Sequence, residues 1–185
     1  MKETMEEKKL FDALYALVDE MHWGASLYAI VDTGIYRDFI DILDIENPPH
    51  RILFKDTFVP EYENVAPYLV ALNREDDFSK ALVSKGHGET WLSFVVSRQD
   101  IATLAYELKE RINIYSQAHE REIILRFYDP RNMQQYFNML DEDEKETLFK
   151  DINGYFAHVN VEDIAILNTY NPQGKQSIPI QKRAS

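Results

Sequence analysis

Residues 123–137 read IILRFYDPRNMQQYF, and within this stretch strand chemistry gives way to helix chemistry. Alternation puts Ile123, Leu125 and Phe127 on one side of an extended segment and Ile124, Arg126 and Tyr128 on the other. Asp129 then suits a helix N-cap and Pro130 the first helical position. A strand that leads straight into a capped helix points to an α/β fold. Two cations resist this local account. Arg131 in a first turn opposes the helix dipole, and Arg126 within an apolar strand needs a partner. One or both are expected to pair with a carboxylate at a neighbouring strand end, with Asp32 the first candidate. An internal clasp is the preferred reading over direct contact with another molecule, because buried charges are usually paired.

Working outward, the same alternation of patterns continues. Leu10, Phe11, Leu14, Leu17, Val18 and Met21 form one stripe of a helix over 4–21, which Gly24 ends. SLYAIVD (26–32) is strand-like, and a second helix is expected over about 34–46, before Pro48 and Pro49. Residues 51–54 and 68–72 are short strand candidates. A helix over 76–85 ends in the Gly86-His87-Gly88 turn, and TWLSFVV (90–96) is a strand. Ser97 with Asp100 resembles a capping box opening a helix through about 114. Residues 122–128 form a strand, followed by helices near 130–139 and 142–150. A late antiparallel hairpin is expected from 155–159 and 164–169. The predicted fold is therefore a mixed, layered α/β sheet flanked by helices, in one domain over 1–169. Residues 170–185, with two prolines and no periodicity, are expected to be a tail that is disordered unless bound.

Composition limits what such a domain can do. At 185 residues it can bury roughly 70% of its unfolded surface, so it needs no staple. It has no cysteine, hence no disulfide, thiolate nucleophile or thiolate zinc site. The net charge is −12, and the last 16 residues hold three cations and no acid, so the acidity is concentrated before them. Such a field repels phosphate backbones and anionic lipid, which argues against nucleic-acid and membrane partners. The N-terminal residues lack the apolar run of a signal peptide, and a cytoplasmic location is expected.

No catalytic constellation emerges. His22, His50, His87, His119 and His158 are scattered without metal-ligand spacing. Gly86 and Gly88 precede a strand, so they make a turn rather than a phosphate loop. Asp141 with Glu144 is a capping box at a solvated helix start. Asp38, Asp41 and Asp44 fall on the polar side of the second helix. The chain is accordingly expected to be a non-enzyme that needs no cofactor or metal.

Read in order, LYAIVD, VPEYENVAPYLVAL, GETWLSFVVSRQDIATLAYELKERI and ILRFYDPRNMQQYFNMLDEDEKETLF resemble the type VI secretion effector chaperones, the Tap or TEC adaptors, a "domain of unknown function" family. The resemblance spans roughly residues 26–158. It implies a cytoplasmic adaptor that binds a cognate secreted toxin effector and hands it to the VgrG spike protein. The motif positions that carry over are Asp32, Pro67, Tyr68, Trp91, Arg126, Phe127, Tyr128, Asp129, Pro130 and Arg131. Of these, Tyr68, Trp91, Arg126, Tyr128, Asp129 and Arg131 are candidate partner-binding residues, and Asp32 is the candidate clasp. Many relatives continue into a helical C-terminal lobe, which is expected to be short or missing here. Two rivals remain. One is an enzyme or sensor that binds a phosphorylated metabolite through the arginines, and the other is a structural subunit of a secretion assembly.

Overall fold

The computed structural model describes residues 5–21, 24–57, 59–117, 120–161 and 164–182. His22, His119 and part of the turn between the last predicted strands lie outside them. In chain order the elements are α1 (Met5–Met21), β1 (Ser26–Asp32), α2 (Phe39–Glu46), β2 (His50–Ile52), α3 (Val59–Tyr62), a 3₁₀ turn (Glu63–Val65), β3 (Pro67–Ala71), α4 (Asp77–Lys85) and β4 (Leu92–Ser97). There follow α5 (Ile101–Ile112), β5 (Asn113–Ser116), β6 (Arg121–Ile124), α6 (Pro130–Met139), α7 (Glu142–Phe149), β7 (Ile152–Val161), β8 (Ile164–Asn171) and β9 (Gly174–Lys182).

Seven strands form one antiparallel sheet in the order β2-β3-β1-β4-β7-β8-β9. β1 and β4 lie next to each other near its middle, and six consecutive residues of each are buried. Both faces of these strands are therefore covered, which explains why SLYAIVD and LSFVVS read as nearly continuous apolar runs rather than as alternation. β7 shows how the two faces are filled. A Cβ on Gly154 would lie 3.3 Å from Met21 Cε of α1. On the opposite face, the Tyr155 ring lies 5.3 Å from Phe137 of α6, 6.0 Å from Phe149 of α7 and 5.7 Å from Phe127. Each such ring withdrawn from water contributes about 1.5–3 kcal/mol.

The mixed α/β sheet flanked by helices and the late hairpin are as the sequence predicts, and four local expectations change. The strand expected over 122–128 stops at Ile124 and does not join the main sheet. It pairs with β5 as a separate two-stranded ribbon, so Arg126 and Tyr128 lie in the turn that follows. The helix expected through 114 ends at Ile112, because the buried Asn113 side chain donates to the Lys109 carbonyl (2.7 Å) and across to Leu53 O (3.1 Å). Asp100, not Ser97, caps α5, accepting from Ala102 N (2.9 Å) and Thr103 N (3.1 Å). Ser97 instead ends β4, and its hydroxyl donates to Asp151 O at 2.7 Å. Finally, Gly174–Lys182, read as part of a disordered tail, pairs along the length of β8 as the edge strand β9. Pro179 is compatible with this place, since it sits at a register shift on an edge. α6, capped by Asp129 with Pro130 at its start, and α7, opened by the Asp141–Glu144 capping box, form as predicted.

Candidate functional site

Asp32 is the last residue of β1, opposite Pro67 of β3. Its backbone N–H donates to Trp91 O (2.9 Å), and its carbonyl accepts from Ile35 N (3.1 Å) and Tyr36 N (2.9 Å). The next hydroxyl, Thr33 Oγ1, donates to Ala66 O at 2.7 Å. The end of β1 is thus fixed from three sides before its side chain is considered. The carboxylate then takes two donors: Gly34 N to Oδ1 at 3.0 Å, and Arg126 Nη2 to Oδ2. A Cβ on Gly34 would sit only 3.0 Å from Oδ1, so the absence of a side chain there lets the turn close on the carboxylate.

Arg126 follows β6. Its carbonyl accepts from Asp129 N (3.3 Å) and Asn132 Nδ2 (3.2 Å), which holds the turn ahead of α6. Asp129 accepts Arg131 N at 3.0 Å as the N-cap of α6. The Arg131 guanidinium folds back on the same carboxylate through Nε (2.9 Å) and Nη2 (2.6 Å). Arg126 Nη2 lies 3.6 Å from Asp129 as well. The result is a chain of alternating charge, Arg131–Asp129–Arg126–Asp32. It ties the start of α6 to the end of β1.

The four members differ in exposure. The Asp32 and Asp129 side chains are 4% and 2% exposed, those of Arg126 and Arg131 41% and 59%. Burial raises the Asp32 carboxyl above its ordinary range, outweighing Arg126. Burial also acts on Asp129, but there the bidentate Arg131, its backbone N–H and Arg126 prevail, and the carboxyl is held low. Burial, then the Asp32 charge, raises the Tyr128 phenol far above its usual value. These groups are engaged with one another.

The fold thus gathers Asp32, Trp91, Arg126, Tyr128, Asp129 and Arg131 at one end of the sheet, while Tyr68, paired with Val31 beside them, turns its ring into a different cleft. Trp91 supplies its carbonyl, while its ring packs 4.5 Å from Tyr36, over which Lys85 Nζ sits at 4.5 Å. Tyr68, on β3, faces the cleft between α2 and the 63–65 turn, with its ring 6.0 Å from His50. Tyr68, Trp91, Tyr128 and Asp129 are buried, so within the motif only the two guanidiniums reach water to any extent. Arg131 pairs with its own cap rather than with Asp32, because a first-turn arginine can curl onto the N-cap carboxylate.

Sequence reading missed one pairing. His87 and His158, 71 residues apart in the chain, have ring centroids 4.2 Å apart, and Gly88 N donates to His158 Nδ1 at 2.6 Å. Burial, then His87, lowers the His158 pKa to about 4. No spacing along the chain could signal this contact, which depends on the β4–β7 pairing. Among the described residues no group of three or more His, Cys, Asp or Glu is placed to hold a metal ion, and no helix is long and apolar enough to cross a membrane.

The protein is thus a mixed α/β domain with a single seven-stranded antiparallel sheet, closed at one end by a charged clasp. The chain belongs to the family described as a domain of unknown function (DUF4123), which matches residues 27–147. No curated protein and no solved structure matches it.

Proposed function

We propose that this protein is a cytoplasmic adaptor that binds a cognate type VI secretion effector and helps load it onto the VgrG spike. The observation that carries this reading is the ordered set of motifs that resembles the Tap/TEC adaptors. It falls largely within the matched residues 27–147, and its members meet in space. Asp32, Pro67, Trp91 and the RFYDPR residues come from four separate segments yet converge at one sheet end. The motif acts as a scaffold in this reading: it holds the β1 end, α2 and α6 in fixed relation. The anion-binding alternative is weaker on the same geometry, since both guanidiniums are already matched by buried carboxylates. Co-expression with a candidate type VI toxin tests the reading. Toxin solubility should rise, and toxin and adaptor should copurify. Failure to copurify with both that toxin and any spike protein would overturn it.

A further inference from the structure

Seven large apolar side chains are well exposed among the described residues, and four of them fall between residues 35 and 65: Ile35, Ile45, Tyr62 and Val65. Val65 lines a groove between α2 and the 63–65 turn, and the other three lie within α2 or on the segments that lead into these elements. The groove's deeper part, about 260 Å³, is floored by Leu43, Ile52 and Tyr68, and its outer part, about 340 Å³, runs between Asp41 and Val65. Ile40 borders both parts, which therefore lie side by side along α2 as one stepped trough. Concentrated exposed apolar surface beside a concave floor is the usual mark of a protein-binding face rather than of ordinary surface.

Three carboxylates against two guanidiniums line the walls, and further acids stand close by. Asp41, Asp44 and Glu63 line the trough, and Asp38 and Glu46 at the ends of α2 and Glu61 of α3 stand exposed. The cations present are Arg37 at one end and Arg51, whose Nη1 is turned onto its own neighbour's carbonyl, His50 O, at 2.7 Å. The floor registers this field. Burial first, then Glu63 and Asp44, pushes the Tyr68 phenol up to about 12. None of the three lining carboxylates is held by a hydrogen bond or ion pair from a described side chain, so all three are available to an incoming cation.

We infer that this trough is the docking site for a basic, amphipathic segment of the partner protein, one whose bulky apolar residues fill the floor while lysines or arginines meet Asp41, Asp44 and Glu63. The inference rests on the adaptor reading and names the face that reading lacked. The trough is joined to the clasp, because Gly34 sits between Asp32 and Val65. Apart from Tyr68 on the floor, the motif therefore positions the docking face without touching the partner.

The test uses the full chain and the variant Asp41→Lys/Asp44→Lys/Glu63→Lys. Two probes are measured: the candidate toxin in copurification, and a fluorescein-labelled lysine–leucine amphipathic peptide beside its glutamate–leucine counterpart. The wild type should bind the lysine peptide at least about tenfold more tightly than the glutamate peptide, and the variant should lose that preference and the toxin together. Val65→Ser, a milder change at the rim, should weaken both while leaving the thermal unfolding curve in place, and it serves if the triple variant fails to fold. Wild-type capture of the toxin that survives in every folded variant would overturn the docking site and leave the adaptor reading standing. Loss of toxin capture by the wild type itself, with peptide preference intact, would count against the adaptor reading and not the groove. If the isolated chain self-associates and the variants abolish that, the occupant is a second copy and the inference falls.

Discussion

The two carboxylates of the clasp are opposite cases of one linkage rule. Asp129 is held low, so it contributes stability above the ordinary carboxylate range that is lost as pH falls through its folded pKa. Asp32 is held high, so its charge opposes folding at neutral pH, and the opposition is relieved as pH falls through its raised pKa. Asp129→Asn should therefore be the costlier change, about 1–3 kcal/mol, since it keeps a cap acceptor but removes the buried charge that both guanidiniums share. Asp32→Asn should cost less than about 1 kcal/mol, because the partly exposed Arg126 can turn to water. Urea unfolding at pH 7 ranks them, and equal costs would contradict the assignment. His158 gives a separate signal. Neutral in the fold, with its pKa near 4, it lets the unfolded chain take up a proton first as pH drops below about 6.5. Stability should fall between pH 6.5 and about 4, by at most on the order of 3 kcal/mol, and level off below. His158→Asn keeps an acceptor for Gly88 N and cannot titrate, so its stability profile should be flatter across that window. Parallel profiles would refute the effect.

At the scale of elements, sequence chemistry was most reliable where a side chain acts on its own backbone. The Asp129 and Asp141 caps were legible because each bonds within three residues of itself. The α5 start misled because SRQD contains two good caps three residues apart, and only the length of β4 decides between them. Asp100→Ala should accordingly lower the thermal midpoint, Asp100→Ser should largely restore it, and Ser97→Ala should act instead on the β4–β7 contact through Asp151. The reverse ranking of Asp100→Ala and Asp100→Ser in a melting experiment would reject this cap. β5 and β9 were hard to read for a different reason, and β6, read as a strand, ended earlier than its pattern suggested. β5 and β6 are four residues each and continue a helical stripe into a ribbon, while GKQSIPIQK is polar, contains proline and is almost wholly exposed up to Pro179. An edge strand stabilised by one neighbour needs no apolar alternation, so it leaves little pattern to find. Within the site, the Asp32–Arg126 pair was legible because a guanidinium beside apolar residues needs a carboxylate. The trough was not, because it depends on how α2 meets a turn some twenty residues later.

On the scale of the whole molecule, the −12 charge acts on folding and on binding with opposite signs. Among the described residues most acids are exposed and form no ion pair, and in the whole sequence 32 acidic side chains face only 20 lysines and arginines. Their mutual repulsion weakens the compact state and is screened by salt. Between the chain and a basic segment, the same field draws the partner toward the trough, and salt screens that attraction too. Raising ionic strength from 0.1 to 1 M shortens the screening length from about 10 to about 3 Å. The thermal midpoint of the free protein should then rise by a few degrees, roughly a 1 kcal/mol gain. Over the same titration the association rate with the lysine–leucine peptide should fall about tenfold or more, while its dissociation rate changes much less. For the Asp41→Lys/Asp44→Lys/Glu63→Lys variant the rise in midpoint should persist in reduced form, since most of the acids remain, but the salt dependence of association should largely vanish. A midpoint that falls with salt, or an association rate indifferent to it in the wild type, would show that the acidity of this chain governs neither its stability nor its encounters.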